Sequence, residues 1–404
     1  MKNKLYFKNF VQEKEFTKKS KGFLAKKFEK VIKQISQEID KSSKTLNVLS
    51  KKFKFNFDFK DLQKYKKYNT IALIGMGGSI LGSEAIHSFL EKKIKKRVYF
   101  FNNLNEDEIF NFKKKTNLSK TLFIIISKSG NTVETLSNTF SLNIVKKNAK
   151  NIIIISEKKN NLLFNLSKKL NLFYIEHKSN IGGRYSVLSE VGIIPAYLMG
   201  LNIFKLRSKI LDYFSGNNKK YLKESSILIS SILNSKKNNN LIFLNYCPEL
   251  EKFLFWCQQL IAESLGKKNK GFLPIISNVP KDHHSMLQLY LDGPKDKIFY
   301  IFSSQNNRKL RINLKYASRN YNFLNKKTLS SLKNAQKNAL IKAFKENKIL
   351  FREFRIKSID EEIIGKLFTY FILETIIVGK LCNINPYNQP AVEQVKIYTK
   401  QELS

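Results

Sequence analysis

Cysteine, histidine, proline and tryptophan are scarce in this chain of 404 residues: three, four, seven and one. Cys247, Cys257 and Cys382 are odd in number, widely spaced and free of any CxxC pair. That excludes a disulfide framework and a cysteine zinc site, and it fits a reducing cytoplasm. No other cluster reads as a metal site, so no metal ligand is expected. The N-terminus, "MKNKLYFKNFVQEKEF", lacks the unbroken apolar core of an export signal. The most lipid-like stretch, "IIGKLFTYFILETIIVGKL" at 363 to 381, carries Lys366, Glu374 and Lys380 and reads as a buried helix, not a membrane span. Acidic residues are also few, 32 against 73 lysines and arginines, which leaves a formal net charge of +41.

So basic a chain raises nucleic acid or an anionic surface as partners. The distribution argues against both, because lysines recur from Lys2 to Lys400 in short runs and form no basic arm. Heavy use of Asn, Ile and Phe alongside Lys fits a coding bias that loads solvent-facing positions. Excess charge can still steer an anionic small molecule. The best base-stacking candidate is "KKFKFNFDFK" at 51 to 60, where Phe53, Phe55, Phe57 and Phe59 alternate with polar residues. Period two equally describes a half-buried strand, which is the reading we adopt; no nucleic-acid partner is expected.

With 42% apolar residues the chain can fill two cores. A polar, helical lead-in runs to about residue 50. "TIALIG" (70 to 75), "RVYFFN" (97 to 102), "TLFIIIS" (121 to 127) and "NIIIIS" (151 to 156) then alternate with helix-period segments. Continuous apolar runs of this kind suit strands buried on both faces of a parallel α/β sheet. A mostly helical span from 187 to 236 separates them from "LIFLNY" (241 to 246), "KIFYIFS" (297 to 303) and "ILFREFRI" (349 to 356). Two α/β domains are expected, residues 1–205 and 206–404.

Two loops follow strands of the first domain. "IGMGGSILGSEA" places Gly75, Gly77, Gly78 and Ser79 just before a helix, where backbone amides can approach an anion such as phosphate. An ordinary structural turn has the same composition. The dinucleotide pattern GxGxxG fails at Ile80, and the P-loop pattern fails for want of GK[ST]. "IISKSGNTVETLSN" (125 to 138) offers Ser127, Lys128, Ser129 and Thr132 at a strand's carboxyl end, where open α/β sheets bind ligands. Asn131 or Thr132 can cap the helix starting near Val133, and Glu134 completes a capping box if Asn131 is the cap. The helix start leaves the Ser-Lys-Ser cluster unexplained; a sugar-phosphate cradle explains it.

Six stretches, in order, carry a resemblance: "GMGGSILG" (75 to 82), "SKSGNTVET" (127 to 135), "GGRYSVLSEVG" (182 to 192), "QQLIAESLGK" (258 to 267), "DHHSMLQ" (282 to 288) and "NPYNQPAVEQVK" (385 to 396). On these the chain resembles the glucose-6-phosphate isomerase family. The resemblance implies sugar isomerase (SIS) type domains, three-layer αβα sandwiches with mainly parallel sheets. It also implies reversible conversion of glucose 6-phosphate to fructose 6-phosphate through a cis-enediolate, with no cofactor. Glu263 and Gln259 share one helix face, and a carboxylate at a helix C-terminus is disfavoured as the anion, which raises its basicity. On residues alone Glu263 reads as an exposed glutamate on an amphipathic helix; the resemblance makes it the base moving a proton between C1 and C2.

The resemblance likewise turns Arg184, otherwise a surface charge, into the cation that stabilises the enediolate. Within "DHHS" it selects His284 for ring opening and leaves His283 to packing or the surface. It implies that His284 is donated across a homodimer interface, and that Lys396 assists ring opening. Gly78, Ser79, Ser127, Lys128, Ser129, Thr132 and Gln259 are the expected substrate contacts. The chain is short for the family, and Pro280 and Lys281 replace the commoner Thr or Gly before the Asp. Another sugar-phosphate isomerase, or a non-catalytic sugar-phosphate regulator, would share the two loops.

Overall fold

The computed structural model describes residues 5–10, 18–305, 310–315 and 319–404. Among the described residues ten strands alternate with helices: β1 (Leu5–Phe10), β2 (Thr70–Gly75), β3 (Arg97–Phe101), β4 (Thr121–Ile126), β5 (Ile152–Ser156), β6 (Phe173–Glu176), β7 (Asn240–Asn245), β8 (Leu273–Asn278), β9 (Lys297–Ser304) and β10 (Phe351–Ile356). They form two five-stranded sheets, ordered β3-β2-β4-β5-β6 and β8-β7-β9-β10-β1. The first is parallel throughout, and the second is parallel except for β1, which runs antiparallel to β10. The fold is the expected α/β class with two SIS-like sandwiches. The first four strands of each order repeat one topology, although the two halves share no evident sequence repeat.

Alternate residues explain the layers, since successive strand side chains point to opposite faces. Ile71 and Leu73 of β2, with Leu122 and Ile124 of β4, face the central core, whereas Ala72, Ile74, Phe123 and Ile125 face an outer one. In the second sheet Leu241 and Phe243 face the same central core, and Ile242 and Leu244 face a third cluster with Leu340 and Phe344. Helices Leu81–Leu90, Glu251–Leu265 and Glu361–Leu381 fill the central layer between the sheets. Each aliphatic side chain buried there contributes about 2 kcal/mol, so this layer is a rigid platform. Helix Glu361–Leu381 lies in the core as expected, and among the described residues no helix is long and apolar enough to cross a membrane.

Two expectations are corrected. First, the lead-in does not stay with the first sheet: β1 joins the second, and helix Lys18–Ile39 packs on helices Gly216–Ser235 and Glu361–Leu381. Second, Phe53 to Phe59 form no strand. Their rings pack on one another, Phe53 to Phe55 at 5.3 Å and Phe57 to Phe59 at 5.0 Å. The guanidinium of Arg207 lies over Phe53 and Phe55, and the amide of Asn56 donates to the buried Glu190 carboxylate at 3.0 Å. The alternation marks a buried side, but a side-chain carboxylate takes the hydrogen bond a neighbouring strand would have made.

Of the two caps expected at Val133–Ser141 the structure takes Thr132, so the capping box that Asn131 would have completed does not form. Thr132 occupies the cap position without a side-chain cap bond, and Asn131 instead accepts from the amide of Leu162 at 2.9 Å.

Candidate active site

β2 has β3 on one side and β4 on the other, so the chain reverses its winding at β2 and opens a crevice at the carboxyl ends of β2 and β4. Gly75 pairs with Ile126 at that edge, which sets the loops 75–82 and 127–132 side by side. Gly77 has φ +51°, and a Cβ there would lie 2.7 Å from Nε2 of Gln259. A Cβ on Gly78 would lie 2.2 Å from the carbonyl carbon of Gly183 and 2.5 Å from the amide nitrogen of Arg184. The glycines therefore serve close backbone approach: this turn is pressed against the segment that carries Arg184. Ser79, at the end of the same turn, is buried.

The second loop holds its hydroxyls together. Ser127 Oγ and Thr132 Oγ1 are 2.8 Å apart, Ser129 Oγ is 3.4 Å from Thr132 Oγ1, and the amide of Asn131 donates to Ser129 Oγ at 3.3 Å. Lys128 donates to the carbonyl of Ser179 at 2.8 Å and pairs with Glu157 at 3.6 Å. Its ammonium is held below the ordinary lysine range, first by burial and, more weakly, by the charges of Lys159 and Arg184, while Glu157 opposes the shift.

Arg184 is 3% exposed and stands in the tight turn Gly183–Leu188. Its Nε donates to Ser264 Oγ at 2.8 Å, and Nη2 donates to the carbonyls of Pro386 at 2.6 Å and Asn388 at 3.1 Å. Nη1 donates to Glu263 Oε2 at 3.1 Å and to Gln389 Oε1. All five N–H donors of the guanidinium are thus used, as a buried cation requires. Glu263 lies in the last turn of helix Glu251–Leu265, and one turn earlier Gln259 donates from Nε2 to Glu263 Oε1 at 3.0 Å. The helix stops at Gly266, where a Cβ would sit 2.6 Å from the carbonyl of Ala262. Arg184 supplies the positive partner at this negative helix end. A cavity of about 720 Å³ opens on Glu263 and is lined also by Lys267, Asn388, Gln389 and Pro390.

The family described as phosphoglucose isomerase matches residues 29–271. A protein named probable glucose-6-phosphate isomerase from Methanococcus maripaludis is 33% identical over 384 residues, covering 88% of this chain and 86% of its own. The glucose-6-phosphate isomerase of Campylobacter jejuni is 30% identical over 380 residues, covering 89% and 90%. The chain belongs to the phosphoglucose isomerase family. Among solved structures, a Chlamydia trachomatis glucose-6-phosphate isomerase has the same fold at a TM-score of 0.76 and 17% identity, covering 99% of this chain and 88% of its own. A Thermus thermophilus protein described as hypothetical superimposes at 0.83, with 21% identity and 98% and 100% coverage.

In this phosphoglucose isomerase family member the fold joins Arg184, Gln259 and Glu263 to the glycine turn. It does not bring His284 or Lys396 to them. His284 is exposed on helix His283–Leu291; its amide donates to the carbonyl of Lys281 at 3.1 Å, and among the described residues no hydrogen bond or ion pair holds its side chain. Its neighbour His283 packs, with Nε2 2.9 Å from the hydroxyl of Tyr246. Lys396 stands on the exposed helix Val392–Glu402 and pairs with Glu393 of the same helix at 2.7 Å. Among the described residues no group of His, Cys, Asp or Glu is placed to hold a metal ion.

Ser264, Tyr185, Lys267 and Gln389 are site residues that sequence reasoning passed over. The hydroxyl of Tyr185 lies 2.8 Å from Ser264 Oγ and donates to the carbonyl of Pro386 at 2.7 Å. All four lie inside the quoted motifs: Tyr185, Ser264 and Gln389 adjoin Arg184, Glu263 and Pro390, and Lys267 lies one helical turn beyond Glu263.

Proposed function

We infer that this chain is a glucose-6-phosphate isomerase, interconverting glucose 6-phosphate and fructose 6-phosphate by proton transfer between C2 and C1 of the open-chain sugar. The observation that carries the reading is the Arg184–Glu263 ion pair set against the glycine turn, beside a hydroxyl-rich loop. The phosphate is held by Ser127, Lys128, Ser129 and Thr132, with Gly78 and Ser79 alongside and Gln259 orienting the sugar. Glu263 takes the proton from the carbon next to the carbonyl and the electron pair moves onto the carbonyl oxygen; in the resulting enediolate the hydroxyl proton of that carbon passes to the former carbonyl oxygen, and the Glu263 carboxyl group returns its proton to the former carbonyl carbon. The developing oxyanion needs a preorganised cation shielded from water, the role of Arg184 Nη1. Of its two acceptors there, Gln389 can yield to substrate without uncovering a backbone carbonyl.

Ring opening falls to His284 of a second copy, and Lys396 assists. Supporting that homodimer, His284 is exposed on its own chain, and the exposed terminal helix displays Val395, Ile397 and Tyr398. A division near residue 205 remains our reading of the domains, with the lead-in reassigned to the second. Cytoplasmic residence agrees with three free, buried cysteines.

The test is Glu263→Gln. Removal of a general base lowers kcat by about 10²- to 10⁴-fold. A coupled assay should show that loss while calorimetric affinity for the sugar phosphate persists; activity within about tenfold of wild type would exclude Glu263 as the base. A panel of hexose 6-phosphates checks the substrate.

A further inference from the structure

Four lysines converge on the segment that follows helix Glu361–Leu381. Lys27 Nζ donates to the carbonyl of Leu381 at 2.8 Å, Lys270 to Cys382 at 3.5 Å, Lys268 to Asn383 at 3.3 Å and Lys267 to Asn385 at 2.7 Å. The last carbonyls of a helix lack intrahelical partners and lie at its negative end, so ammonium groups gather there for a physical reason. Three of the four come from one tight turn, in which Lys267 and Lys270 pair while Lys268 and Asn269 take φ of +55° and +54°.

Lys267 differs from the rest. Its Nζ also donates to the carbonyl of Ser264 at 3.2 Å, at the end of the helix carrying Glu263. Asn385, its other acceptor, precedes Pro386, whose carbonyl accepts from both Arg184 Nη2 and Tyr185. One ammonium group therefore ties together the two segments that surround Arg184. From the first come Glu263 Oε2 and Ser264 Oγ; from the second come Pro386, Asn388 and Gln389.

We propose that Lys267 is a positioning residue for the isomerisation: by clamping the carbonyl of Ser264 to that of Asn385, it holds Glu263 and the acceptors at 386–389 in one register about Arg184. The proposal rests on Arg184 and Glu263 being the working pair. The charged groups facing Lys267 are Arg184 and Glu263 from the site and Lys268 and Lys270 from its own turn; the loop 383–391 brings no charge. Burial, then the repulsion of Arg184, lowers its ammonium to about 8, with Glu263 opposing. The clamp is charged at neutral pH and loses its charge as pH rises through that value, so isomerisation declines on the alkaline side.

The test uses the full chain and follows kcat and KM for fructose 6-phosphate from about pH 6 to pH 10. Lys267→Met is expected to lower kcat by about ten- to a hundredfold with KM nearly unchanged, the penalty of a displacement of about 1 Å. Lys267→Arg, which keeps charge and donors, is expected to restore most of kcat and move the alkaline decline upward by at least about one pH unit, since arginine does not deprotonate in this range. Lys268→Met, whose bond ends outside the Arg184 acceptors, should leave kcat within about twofold.

A kcat within about twofold for Lys267→Met overturns the proposal, as does an alkaline decline unmoved in Lys267→Arg. If Lys267→Met fails to fold, the arginine variant decides alone, because a merely structural lysine would leave the pH profile in place. Failure of the underlying pair is seen separately, as retained activity in Glu263→Gln.

Discussion

Gly78→Ala is the sharpest perturbation of the site, because it adds one methyl group and removes nothing. Its Cβ would lie 2.2 Å from the carbonyl carbon of Gly183, 2.6 Å from the oxygen and 2.5 Å from the amide nitrogen of Arg184, whereas ordinary contact begins at 3.4 Å. All three atoms are backbone, so no rotamer relieves the clash, and the two segments must part by about 1 Å. Arg184 rides on the displaced segment, and its five donors are aimed at acceptors fixed by other elements. With Arg184 in its proposed role, a shift of that size costs on the order of a hundredfold in rate, and overpacking costs about 1–3 kcal/mol of stability.

The assay is kcat/KM by coupled turnover, read beside a urea melt so that lost activity in folded protein is distinguished from unfolding. Gly22→Ala is the control. A Cβ there meets nothing within 4 Å on the surface helix Lys18–Ile39, and alanine should stabilise that helix by about 0.5–1 kcal/mol with turnover intact. If Gly78→Ala kept kcat/KM within about threefold of wild type, the coupling of the glycine turn to Arg184 would be refuted.

Two further outcomes concern stability. His177 is 1% exposed, and burial lowers its pKa to about 4. Above the ordinary histidine value both states are neutral. As pH falls through 6.5 the unfolded chain gains a proton that the folded one refuses until about 4, so folding should lose up to about 3 kcal/mol across that window. Urea midpoints of wild type and His177→Gln at both ends of the window measure it, and an equal acid loss in the two proteins would rule out His177 as its source.

On β10 of the second sheet, fully buried Arg352 donates to Glu374 at 2.9 Å and 3.2 Å and to Asn9 at 3.0 Å. Arg352→Met strands a buried carboxylate and should cost about 3–5 kcal/mol, much of it recovered in the double variant with Glu374→Leu. A chemical melt that changes by less than about 1 kcal/mol in the single variant would contradict that account.

The inner strands were legible because both faces are buried: β2, β4 and β5 are wholly inside, and their residues read as unbroken apolar runs. β1, β6 and β8 were not. Each lies at a sheet edge with mixed exposure, so solvent-facing residues dilute the pattern that marks a strand. Phe53 to Phe59 show the converse, since alternation reports which side is buried but not what pairs with the backbone.

The candidate site divides in the same way. Residue identity and motif order determined by themselves the family resemblance, the α/β class and the choice of Arg184, Gln259 and Glu263, because those signals are local in the chain. Only the tertiary structure decided that Arg184 takes its acceptors from residues 263–264 and 386–389, that Lys267 clamps those segments together, and that His284 and Lys396 stand apart from them on one chain. A guanidinium must satisfy five donors wherever it is buried, and which distant carbonyls reach it follows from the packing of helices onto sheets, not from spacing along the sequence.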